Sequence, residues 1–78
     1  MPVNSNKSGA RLLAILEHVA RAQPVGVREL ARSMSIDKSA VQRVLTTLAE
    51  AGWVQAAPNK QGAWELTTRI LHVAHLAH

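Results

Sequence analysis

Between Glu29 and Gly52 the chain reads ELARSMSIDKSAVQRVLTTLAEAG, two short apolar-periodic segments separated only by Ser35-Ile36-Asp37. Two helices joined by so brief a turn cannot run antiparallel over much length, so they must cross steeply. The first spans residues 27 to 34, where Val27, Leu30, Ala31 and Met34 form one stripe. Gly26 serves as a weak N-cap, and Glu29, at the third helical position, is placed to reach back to the cap backbone. Asp37 offers a side-chain oxygen and a negative charge to the start of the next helix, which runs from 38 to about 51. At about 100° per residue, Val41, Val44, Leu45 and Leu48 share one side of that helix. Ser39, Arg43 and Thr46 lie opposite, with Gln42 and Thr47 flanking. Gly52 ends the helix as a left-handed C′ residue.

The flanking segments complete a small domain around this unit. A first helix is expected over about 9–22, capped by Ser8, with Leu12, Leu13, Leu16, Val19 and Ala20 inward and Arg11, Ala14, His18 and Arg21 outward. Gln23-Pro24 stops it, because proline disfavours helical geometry in the residue before it, and residues 24–26 form a short extended link. Trp53–Ala57 and Ala63–Leu66 read as two strands around the turn residues Pro58 to Gly62. Thr67 or Thr68 then caps a last helix whose inward stripe is Ile70, Leu71, Ala74 and Ala77, widened by Val73 and Leu76. Residues 1–7 show no period and are expected to be a flexible arm. The expected class is mainly α with a small β-hairpin: a three-helix core, a two-stranded wing and a C-terminal helix.

Composition narrows the chemistry. A domain of 78 residues removes only roughly 60–65 per cent of its unfolded surface from water and has little room for a deep catalytic cleft. No Ser-His-Asp, paired-carboxylate or Gly-rich phosphate-binding arrangement appears, so the chain is not expected to be an enzyme or to carry a cofactor. The absence of cysteine excludes disulfides and thiolate metal sites. His72, His75 and His78 follow an H-x2-H-x2-H spacing, but helical steps spread them around the axis, so no metal site is expected. No apolar run approaches the ~20 residues that span a bilayer, and a soluble, cytoplasmic protein is expected. A net charge of +4 and a pI near 10.8 favour a polyanionic partner.

The apolar spacing of the central unit matches the steric pattern of a DNA-binding helix-turn-helix: small Ala31 permits close approach, Ile36 plugs the turn, and Val41 and Val44 lock the second helix down. Ser35 stands where many such units have glycine, which implies either a wider turn or strained backbone there. On this reading the outward face of the second helix enters the major groove. Arg43 can pair bidentately with guanine and Gln42 with adenine. Ser39 and Thr46 suit phosphates or base edges, and Lys38 suits phosphate. Arg28 and Arg32, one turn apart on the preceding helix, are placed to reach phosphates, and Lys60 is the wing-tip candidate beside Asn59 and Gln61. A solvated surface side chain is the competing reading for each. Glu50 shares the outward face and would be repelled by phosphate, so the last turn is expected to leave the groove. Trp53 and Trp64 are expected to be packing residues, not base-stacking platforms.

The segments LLAILEHVA, VRELARSMSIDKSAVQRVLTTLAEAGWV and GAWELTTRIL resemble the N-terminal DNA-binding domain of the IclR family of bacterial transcription regulators over about residues 8 to 75. The most specific part is Lys38-Ser39, Val41, Arg43-Val44-Leu45, Leu48 and Gly52-Trp53-Val54, followed by Trp64 and Leu66. The resemblance implies a winged helix over residues 8–66, double-stranded DNA as partner, a homodimer or higher oligomer, and control by a small molecule held in a larger second domain. Residues 67–78 would then begin a linker helix towards that domain, and an inverted-repeat operator would follow from two-fold pairing. The sequence departs from the family at Gly26-Val27-Arg28, where a Ser/Thr-rich start to the second helix is usual, and at Ser35. The alternatives are a winged helix of another regulator family, or one used for protein contacts; the polar outward face of the second helix favours DNA over the latter.

Overall fold

The computed structural model describes residues 6–77, which form four helices and three short strands in the order α1 (Lys7–Ala22), β1 (Val25–Gly26), α2 (Val27–Met34), α3 (Lys38–Glu50), β2 (Val54–Ala56), β3 (Ala63–Leu66) and α4 (Arg69–Leu76). This is a winged helix-turn-helix. Most of the expected N-terminal arm, residues 1–5, lies outside the described part. Lys7 does not belong to an arm: α1 begins two residues earlier than expected, because Asn6, not Ser8, caps it by accepting from the Gly9 N–H at 3.0 Å.

The core gathers one face from each of the first three helices and the sheet. Ile15, Val19, Leu30, Val41 and Leu45 are fully buried, with Val25, Leu48 and Val54 close behind. On α1 the apolar stripe is rotated from its expected phase. Ile15 takes the central position, whereas Leu13 is 59% exposed and Ala20 is exposed. His18, expected to face away, is half-buried. The apolar residues of α1 surround so much of the helix that spacing alone leaves its rotation undetermined; contact with α3 and β3 fixes it.

Both ends of the helix-turn-helix are closed by the same device. At the end of α2 the Ile36 N–H donates to Ala31 O at 3.0 Å and the Ser35 N–H to Arg32 O at 3.4 Å. At the end of α3 the Trp53 N–H donates to Leu48 O at 2.8 Å and the Gly52 N–H to Ala49 O at 3.0 Å. These pairs of bonds define Schellman closures, and each needs a left-handed residue, supplied by Gly52 at φ 86° and by Ser35 at φ 53°. Of the two possibilities at Ser35, the chain takes the strained backbone and keeps the turn tight. Asp37 then caps α3, its Oδ2 accepting from the Ser39 N–H at 3.0 Å.

The wing carries one strand more than the sequence implies. β1 pairs antiparallel with β3 through Val25↔Trp64 and Gly26↔Ala63, and β3 pairs with β2, giving the order β1-β3-β2. The supposed link after Pro24 is therefore an edge strand. The Gln23 side chain extends its ladder, accepting the Leu66 N–H at 2.8 Å through Oε1. Val54, Leu66, Trp64 and Val25 turn towards the core, while Gln55 donates to Glu65 on the other face at 2.7 Å. Trp53 and Trp64 are half-buried packing residues, as expected.

The last helix corrects the expected stripe. Ile70 and Val73 are the half-buried residues; Ala74 and Ala77 are exposed, and Leu71 and Leu76 are each 68% exposed. Its rotation is set before it starts, because the Thr67 hydroxyl donates to Gly52 O and also accepts the Arg69 N–H at 3.2 Å. Thr68 occupies the cap position without a side-chain hydrogen bond. Arg69 lies over the Trp53 ring at 6.0 Å, within reach of a cation–π contact.

Candidate nucleic-acid interface

With Ala40, Val41, Leu45 and Leu48 buried, α3 must present Ser39, Gln42, Arg43 and Thr46 to solvent, and all four are exposed. Lys38 stands exposed at its first turn. Arg28 and Arg32 are exposed on α2, and Lys60 is exposed at the tip between β2 and β3. Each of the eight sequence-derived residues is thus on the surface, spread over α2, the face of α3 and the wing.

Hydrogen bonding changes what two of them can offer. The Thr46 hydroxyl donates to Gln42 O at 3.0 Å, and Thr47 donates likewise to Arg43 O at 3.1 Å. A phosphate oxygen only accepts, so Thr46 as seated has no proton to give it. Its hydroxyl oxygen keeps acceptor capacity only, and a threonine methyl group is of the kind that suits the C5-methyl of thymine. Lys60 is partnered as well: its Nζ is 3.6 Å from Glu29 Oε1, with both side chains about half exposed. Glu29 Oε1 also accepts the Gly26 N–H at 3.2 Å, the one half of a capping box that a glycine cap allows. That backbone hydrogen bond, followed by the charge of Lys60, holds the Glu29 carboxyl below its ordinary titration range.

One neighbour was not legible in the sequence. Arg11 of α1 and Arg43 of α3 line the same open cleft, about 430 Å³, together with Ser8, Leu12, Val44 and Thr47. The helical period marks Arg11 as outward but carries no information about which other outward residue it approaches. On α4, His72 and His75 are exposed, while His78 is outside the described residues. Among the described residues no three His, Cys, Asp or Glu side chains gather as a metal site, and no helix is long and apolar enough to cross a membrane.

The family model for the IclR helix-turn-helix domain matches residues 8–58, from the first turn of α1 to the start of the wing tip. The chain belongs to this family. An IclR-type domain is a DNA-binding module of transcription regulation and not an enzyme. Among solved structures, one from Silicibacter sp. TM1040 described as an ICLR transcriptional regulator is similar at a TM-score of 0.79 and 24% identity, over 90% of this chain and 28% of its own. An IclR family transcriptional regulator from Brucella abortus is similar at 0.78 and 22% identity, over 99% of this chain and 31% of its own. At these identities the likeness establishes the fold. This IclR-type chain spans about three-tenths of the length of those regulators. No curated protein matches it.

Proposed function

We infer that this domain binds double-stranded DNA in a sequence-specific manner, with α3 lying in the major groove. The observation that carries this reading is the outward face of α3, where Ser39, Gln42, Arg43 and Thr46 are exposed without a single aliphatic or aromatic anchor among them. A protein-docking face would need such anchors. Arg43 reads guanine, Gln42 reads adenine, and Thr46 contributes its methyl group to a thymine. Ser39 donates to a phosphate or base edge. Arg28, Arg32, Lys38 and Lys60 neutralise phosphates and set the register, and Arg11 extends that set along the cleft it shares with Arg43.

Within this reading two copies pair, and two-fold pairing calls for an inverted-repeat operator with half-sites one helical turn of DNA, or a multiple, apart. Within the same reading, α4 leads towards a second domain. Selection of bound sites from random duplexes, run with the wild-type chain and with Arg43→Ala, tests the assignment. The wild type should return a defined motif, and the variant should lose preference at one base pair with a penalty of about 1–3 kcal/mol. An unchanged motif would remove Arg43 from the readers, and no motif at all would remove the specific-binding reading.

A further inference from the structure

Among the five cations assigned to α2, α3 and the wing, Lys60 differs from the others in being held by a carboxylate of the described residues. The carboxylate is not free to leave. Glu29 Oε1 is anchored by the Gly26 N–H at 3.2 Å, so it stays at the start of α2 whether or not Lys60 approaches. The backbone of Lys60 is also fixed independently: Gly26 pairs with Ala63, and the Ala63 N–H donates to Lys60 O at 3.1 Å, closing the tip turn beside α2. What the ion pair determines is therefore the direction of the ammonium alone. With Nζ 3.6 Å from the carboxylate and both side chains about half exposed, the pair is weak enough to be broken by a competing anion.

We propose that Glu29 is a brake built into the DNA interface: it holds the wing-tip ammonium of Lys60 against α2, and a DNA phosphate must displace it to gain that contact. This rests on the DNA-binding reading above. The displaced Glu29 remains near the phosphate as a like charge, because its capping bond keeps it in place. The wing contact is consequently partial in the free energy of binding, and the brake acts on all sequences alike, since phosphate contacts carry no base information. A chain with its brake in place gives up non-specific affinity and leaves relatively more of its binding to α3.

Glu29→Gln tests this with little disturbance of the fold, because glutamine retains the oxygen that accepts from Gly26 and is the other residue natural to a capping box. Fluorescence anisotropy of the full chain should be measured on a labelled duplex of the selected motif and on an unrelated duplex of equal length. Glu29→Gln should tighten both by a similar factor, about two- to fivefold at low salt, the worth of an exposed ion pair. Lys60→Ala should weaken binding more in the Glu29→Gln background than in the wild type, which a mere increase of net charge would not produce. In the free chain, Lys60→Ala should raise the NMR titration midpoint of the Glu29 carboxyl part of the way to the ordinary glutamate value. Unchanged affinity in Glu29→Gln, equal losses for Lys60→Ala in both backgrounds, or an unmoved midpoint would each overturn the brake while leaving DNA binding by α3 intact. A wild-type chain that bound no duplex would remove the DNA reading, and the brake with it.

Discussion

Ser35→Gly should stabilise the domain. Ser35 holds φ 53° and ψ 45°, a left-handed conformation that brings a Cβ close to the following carbonyl and costs an L-residue about 1–2 kcal/mol. Glycine removes that penalty but has more freedom to lose from the unfolded chain, about 0.4–1 kcal/mol. The difference is a net gain of about 0.5–1 kcal/mol, or a rise in Tm of about 3–6 °C for a domain of this size. No other contribution needs adding, since Ser35 is exposed and its side chain makes no hydrogen bond among the described residues. The equivalent closure at Gly52 supplies the reverse experiment. Gly52→Ala imposes the same backbone strain at φ 86° and places a Cβ 3.4 Å from the flexible Arg69 Nε, so with the same unfolded-chain offset it should destabilise by about 0.5–1 kcal/mol. Thermal and urea unfolding followed by circular dichroism would give both values. A Ser35→Gly variant no more stable than the wild type, with m unchanged, would refute the claim that the turn stores backbone strain.

Three further outcomes are expected. If Arg28, Arg32, Lys38 and Lys60 each neutralise a phosphate, the log–log dependence of DNA affinity on salt should have a slope of about −3 to −4 per protomer; titrations across a salt series would show a nearly flat line if these residues are merely solvated. Leu45→Ala removes a fully buried side chain from the contact of α3 with the rest of the core and should cost about 2–5 kcal/mol in urea unfolding. Glu29 has a depressed carboxyl pKa in the folded chain, so the unfolded chain binds its proton first as pH falls; its contribution is present above the unfolded pKa and is lost on acidification through the folded one. Acid unfolding curves should therefore show a shallower dependence across the carboxylate range in Glu29→Gln than in the wild type.

The helix-turn-helix was legible because its signals are local. Asp37 as a cap, Gly52 as a terminator and Glu29 reaching back to Gly26 each act within a few residues, and the structure uses all three. The readable parts of α3 followed from one strongly patterned face, and its outward side was assigned by exclusion. What failed depended on partners far away in the chain. β1 is a strand only because β3 lies beside it, and a two-residue run after a proline has no periodicity to betray that. The rotation of α4 follows from Thr67 hydrogen-bonding Gly52 and Arg69 lying over Trp53, neither of which leaves a mark in the spacing of Ile70, Leu71 and Val73. In the interface the same division holds: exposure could be read, but the pairing of Lys60 with Glu29 and the internal bond of Thr46 decide what an exposed side chain has left to offer.

The pairing of Val25 with Trp64 has a kinetic meaning. These residues bracket α2, the turn, α3 and β2, so their ladder shuts the whole helix-turn-helix inside one closed loop of chain. Closing such a loop carries an entropic penalty that must be met before the contact rewards it, and non-local pairings of this kind slow folding relative to a bundle of three helices. Once closed, the loop removes the route by which α2 and α3 could peel away on their own. Their opening is tied to global unfolding, so the slowest backbone amides of α2 and α3 should exchange with solvent together with those of β3 and at the free energy of the entire domain.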